Sequence, residues 1–83
     1  MYRTIKHKEL IEFLTNIGFR QVRTTGAHLV FSYPQRHAII ALRQMKSNEI
    51  VPHFVFASVR RTILEKGIAT EKKIEIELKK IKK

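Results

Sequence analysis

Apolar residues change their spacing twice along this chain, and that switch limits the fold more than any other feature. Leu10, Ile11, Leu14 and Ile17 recur at helical spacing, with Phe13 at the edge of the stripe and Lys8, Glu12 and Asn16 on the opposite face. From Phe19 to Leu42 the pattern becomes short runs of β-branched and aromatic residues, interrupted at Thr24–Ala27 and at Pro34–Arg36. Val55, Val59 and Ile63 then return to a spacing of four, supported by Phe56 and Leu64. The order that follows is α-β-β-β-α. It predicts an α+β fold in which a three-stranded antiparallel sheet carries its helices on one face.

Local punctuation sets the expected boundaries. The first helix starts at Thr4 or His7 and stops at Gly18, where a glycine with positive φ ends a helix well. Strands are expected over Phe19–Arg23, His28–Tyr33 and His37–Leu42. Gly26 supplies the positive φ of the first turn, within Thr24–Ala27. In the middle strand Leu29, Phe31 and Tyr33 share one face, while His28, Val30 and Ser32 share the other. The larger apolar set belongs against the helices, so Phe31 and Tyr33 read as core and His28 faces the open side. Arg43–Val51 reads as a polar loop. Pro52 suits the first turn of a second helix that runs to Lys66 and ends at Gly67.

A chain of 83 residues can close one small core. Residues 1–69 are expected to form it, and residues 70–83 a lysine-rich extension. The extension fits a helix with Thr70 as N-cap, glutamates early and lysines late, fraying after Leu78. Ile74, Ile76 and Leu78 also alternate as a strand would. The chain has no cysteine, so disulfides, thiolate metal sites and a thiol nucleophile are excluded. Met1-Tyr2-Arg3 leads into a polar helix start rather than an apolar signal segment, and no apolar run is long enough for a membrane span. The expected location is the cytoplasm.

Charge is distributed unevenly. The net charge is +10, yet the stretch from Phe19 to Ser47 holds five cations (Arg20, Arg23, Arg36, Arg43, Lys46) and no carboxylate. A solvated surface usually mixes signs, so an unmixed stretch points to a polyanion such as RNA or to an acidic protein. The lysines of the extension read instead as a solvated surface. His28 stands within the cationic stretch, directly after the Gly26-Ala27 turn. Histidine is the side chain best suited to moving protons near neutral pH. The other histidines read otherwise: His37 as a turn-flanking residue, His53 as a helix surface residue, His7 as structural. No pair has metal-ligand spacing, and no cofactor is expected.

Glu9-Leu10-Ile11, Gly18-Phe19, Val22-Arg23, Gly26-Ala27-His28 and Val59-Arg60-Arg61, with Gly67-Ile68 closing the set, together resemble the HicA family of small bacterial mRNA interferase toxins. The likeness covers about residues 4–68 of the sequence. Its most specific part is a glycine, a small residue and a histidine opening the second strand. The family usually has serine where this chain has Ala27. The resemblance implies a fold like that of double-stranded-RNA-binding domains and a metal-independent endoribonuclease activity on mRNA. It further implies His28 as the catalytic residue and a HicB-like antitoxin as partner. A protein of this charge calls for a partner that is acidic. Such chemistry can use the 2′-OH of the RNA as nucleophile, leaving the protein to supply proton transfer and charge stabilisation. Arg23, Arg43 and Lys46, with Gly26 at the turn, are the expected RNA contacts. A non-catalytic RNA-binding module using the same basic face is the alternative reading, and an adaptor for an acidic protein is a third.

Overall fold

The computed structural model describes residues 4–81; the Met1–Arg3 lead, and Lys82 and Lys83 of the extension, lie outside the described residues. The elements are α1 (His7–Ile17), β1 (Arg20–Thr25), β2 (His28–Tyr33), a 3₁₀ turn (Pro34–Arg36), β3 (Ala38–Arg43), α2 (His53–Glu65) and α3 (Glu71–Ile81). The three strands pair antiparallel in the order β1-β2-β3. The fold is α+β, with an open sheet backed by helices.

Helix α1 starts where its first N–H groups find acceptors. The Lys6 N–H donates to Glu9 Oε1 at 2.8 Å. The His7 and Lys8 N–H groups donate to the Glu49 and Ser47 carbonyls at 2.9 and 3.1 Å. The polar loop after β3 therefore caps α1, and a bridge between Lys6 and Ile50 ties the two segments together. At the other end Gly18 has φ +124°, and a Cβ there would lie 2.8 Å from the Tyr33 ring. Glycine is required at this position for both its backbone freedom and its small size.

The buried stripe of α1 is Leu10, Phe13 and Leu14, with Ile11 and Ile17 only half-buried. Phe13, expected at the edge, is fully enclosed and meets Phe56 edge-on, with ring centroids 5.7 Å apart. On α2 the buried residues are Phe56, Val59 and Ile63, whereas Val55, expected in the stripe, and Leu64 beside it are only half-buried. β3 alternates strictly: Ala38, Ile40 and Leu42 are buried, while Ile39, Ala41 and Arg43 are exposed. Leu29 and Phe31 of β2 join the same core, and Tyr33 packs beside Phe19 with ring centroids 5.4 Å apart. β1 contributes nothing to that core. All six of its residues are exposed, so the helices cover β2 and β3 and leave β1 overhanging.

Several expected boundaries shift, among them the end of β3, which takes in Arg43 instead of leaving it to the loop. β1 continues through Thr24 and Thr25, which were expected in the turn; only Gly26 and Ala27 remain as the loop. Gly26 alone has positive φ there, the pattern of a two-residue hairpin with glycine first. His37 does not open the third strand. It closes the 3₁₀ turn in the left-handed conformation, φ 54°, and the strand starts at Ala38. Finally, α3 does not fray after Leu78 but runs to Ile81. Ile74 and Leu78 belong to the same core as α1 and α2, and this burial selects helix over strand for the segment. Thr70 caps it, its Oγ1 accepting from the Lys73 N–H at 3.2 Å.

Candidate nucleic-acid interface

The sheet face away from the helices is built from cross-strand rows, whose members point the same way. At the hairpin end the row is Thr25, His28 and Arg43. The next is Arg23, Val30 and Ala41, and the third is Arg20, Ser32 and Ile39. Facing partners stand about 5 Å apart, and successive rows about 7 Å apart. The face thus carries three arginines and one histidine, with no carboxylate among the nine residues. Val30 lies at its centre and is buried although it is not part of the main core.

Simple alternation along β1 would separate Arg20 from Arg23. An irregularity between Gln21 and Arg23 prevents this: Gln21 faces Phe31, Arg23 faces the next residue Val30, and Val22 is the extra residue. A bulge of this kind resets the parity, so Arg20, Arg23 and Thr25 all join the face of His28. Arg20 is a member that sequence reasoning did not select. The clue, one residue too many between two cations that both flank a strand, emerges only once the register is known.

His28 is exposed and held by backbone on both sides. Its strand partners are Thr25 and Arg43. Beyond that row the Gln44 N–H donates to the Ala27 carbonyl at 2.6 Å, which fastens the hairpin tip to the end of β3. Gly26 stands at the tip with open space around the position a Cβ would take, so its φ of 57° is the only demand for glycine. Arg43 shares the row of His28. Lys46 is exposed in the loop leaving that end of β3, where its N–H donates to Glu49 Oε1 at 3.1 Å. It lies beyond the strand rows.

The remaining histidines are elsewhere. His37 precedes β3 at the opposite end of the sheet, about 17 Å from His28 along a strand of that length. It cannot share a reacting phosphate with His28. His53 starts α2 and is exposed. His7 is buried in the first turn of α1, and burial lowers its pKa, with the Glu49 carboxylate opposing part of that shift. Arg60 is engaged by Glu71 of α3, whereas Arg61 is exposed. Among the described residues no three His or Glu side chains converge as a metal site would require. No helix of the described residues is long and apolar enough to cross a membrane.

No protein-family model, curated protein or solved structure matches this chain.

Proposed function

We propose that this chain is a ribonuclease toxin of the HicA-like type, which binds mRNA on the open face of its sheet and cleaves it with His28. The carrying observation is the row Thr25–His28–Arg43, backed by Arg23 and Arg20 on a face without carboxylates. Arginine presents a planar fork of donors suited to phosphate oxygens. A neighbouring imidazole can take the 2′-OH proton or protonate the departing 5′ oxygen. Charge developing on the phosphorane is stabilised by Arg43 at one side and by the Thr25 hydroxyl at the other. No metal or cofactor enters this scheme. A HicB-like acidic antitoxin, working with the toxin in the cytoplasm, is the partner that this reading requires.

One observation favours a second reading. Among the described residues of the open face, His28 is the one side chain of a type used for proton transfer, since the others are arginines, a threonine, a serine and apolar residues and His37 is at the far end. A two-step proton transfer then needs water as the other member. Without it, the face serves a non-catalytic RNA-binding module. Growth arrest on expression, relieved by His28→Ala with the fold retained, supports the ribonuclease. Equal toxicity of the two proteins, or toxicity from neither, sinks it. RNA binding that persists in His28→Ala and fails in Arg23→Ala/Arg43→Ala supports the module.

A further inference from the structure

The two edges of the sheet are built differently. β1 carries Arg20 and Arg23 and interrupts its ladder at Val22. Charges and bulges are devices that keep an edge strand from pairing with another chain. β3 has neither over Ala38–Leu42, where five apolar residues hold an unbroken register with β2 and no described strand lies on their other side. A groove of about 300 Å³ runs along this edge, with Ile40 and Leu42 among its β3 residues and Phe54, Ser58 and Thr62 along its α2 wall. An edge strand facing a helix across a groove is the arrangement into which extended peptides insert by main-chain hydrogen bonding. Ile39 and Phe54, 61% and 74% exposed, offer apolar contacts at the rim.

Charge selects the occupant. The residues lining the groove include no carboxylate; Arg43 follows at one end, and exposed Arg61 lies one helical turn from Ser58 on α2. A second copy would bring one +10 molecule against another. An acidic segment meets opposite charge instead. We propose that β3 accepts an extended acidic segment of a partner protein as a fourth strand, with one alternate set of side chains, apolar, against Phe54 on the helix side and the other set, carboxylates, on the open face beside Ile39 and toward Arg43. The groove exists whatever His28 does, so this inference stands apart from the ribonuclease reading.

The probe is a peptide of alternating valine and glutamate, roughly ten residues long so that it can span the edge. Two further versions carry N-methyl groups on one or the other alternate set of residues. Strand addition uses the N–H groups of one set only. One methylated peptide should therefore bind about tenfold or more weakly, as the loss of two or three hydrogen bonds implies, while the other binds like the parent. Amide resonances of β3, with those of Phe54 and Ser58, should shift on binding. The double variant Ile39→Glu/Phe54→Glu, with its fold checked by its unfolding midpoint, should lose the peptide, and His28→Ala should keep it. The proposal is overturned by equal binding of both methylated peptides or by shifts confined to Arg20, Arg23 and His28. Self-association through β3, or no binding at all, overturns it equally.

Discussion

Arg43 stands directly across the β2–β3 ladder from His28, on the sheet face that the helices leave open. The pair is held by backbone rather than by side-chain contacts, because the Gln44–Ala27 hydrogen bond continues the ladder one step beyond it. A guanidinium and an imidazole are thereby placed within reach of one phosphodiester. Their relative position depends on the sheet and not on loop ordering.

Removing the arginines of this face should weaken RNA binding one charge at a time. Arg20→Ala, Arg23→Ala and Arg43→Ala should each lower the slope of log affinity against log salt by about one phosphate contact. Arg36→Ala, in the 3₁₀ turn at the far end, should leave the slope unchanged. Binding titrations of a short RNA over a range of salt concentrations read this directly. Equal losses from all four would mean a diffuse field rather than a defined face.

His37 should be dispensable for cleavage because it lies at the other end of β2 from His28. It is also the only described non-glycine residue with positive φ, 54°. A left-handed conformation costs a non-glycine residue about 1–2 kcal/mol, against about 0.5–1 kcal/mol of added chain entropy for glycine. His37→Gly should therefore raise stability by about 0.5–1 kcal/mol and leave RNA cleavage intact, as urea unfolding and a cleavage assay can show together.

Two glycines should respond very differently to alanine. Gly26→Ala meets only the strain of φ 57°, since nothing lies within 4 Å of the new methyl group. The expected loss is about 1 kcal/mol. Gly18→Ala combines a φ of 124° with a methyl group 2.8 Å from the Tyr33 ring. Strain and overpacking together should remove about 3 kcal/mol. Unfolding midpoints of the two variants should differ clearly, with Gly18→Ala the lower.

α3 should behave as part of the core. Ile74 is fully buried, so Ile74→Ala should cost about 2–5 kcal/mol despite lying in the lysine-rich extension. Glu77, buried between Lys73 and Lys80, is paired at 3.0 and 3.4 Å. The Lys73 hydrogen bond holds its carboxyl below the usual range against the opposing effect of burial, with Lys80 assisting. Its contribution is thus present above the unfolded carboxylate pKa and lost as pH falls through the lower folded value. Glu77→Gln should flatten that acid limb of the stability curve.

Near neutrality the pH dependence should come from His7. Burial lowers its pKa, and the Glu49 carboxylate restores only part. The unfolded chain takes up the proton near its ordinary value of about 6.5, and the folded protein only at lower pH. Between those points the unfolded state binds more protons, so stability must fall as pH drops below about 6.5. Thermal unfolding midpoints measured from pH 7.5 downward should decline for the native chain and decline less for His7→Gln. A flat profile for the native chain would count against a buried neutral His7.

Much of the architecture was legible from spacing because helix and strand periods differ so widely. Period places Leu10, Ile11, Leu14 and Ile17, Leu29 and Phe31, and Val55, Val59 and Ile63 with Phe56 in the core; all are buried there except Ile11, Ile17 and Val55, which are half-buried at its edge. Segment 70–83 was ambiguous because Ile74, Ile76 and Leu78 satisfy both periods; burial of Ile74 and Leu78 against α1 and α2, with Ile76 left outside, selected the helix. The loop after β3 read as merely polar, since its role is carried by backbone carbonyls of Ser47 and Glu49 that cap α1 and leave no mark in side-chain chemistry.

By itself, the sequence determined the order of elements up to the second helix and which face of β2 packs against the helices, because both follow from local periodicity and the need to bury Leu29 and Phe31. It also placed His28 on the open side, by parity within one strand. Only the tertiary structure decided who stands beside it. The bulge at Val22 brings Arg20 and Arg23 to one face, and the β2–β3 register sets Arg43 opposite His28. Register is a property of paired strands: a shift of one residue reverses every side chain, and no single strand carries the information that fixes it.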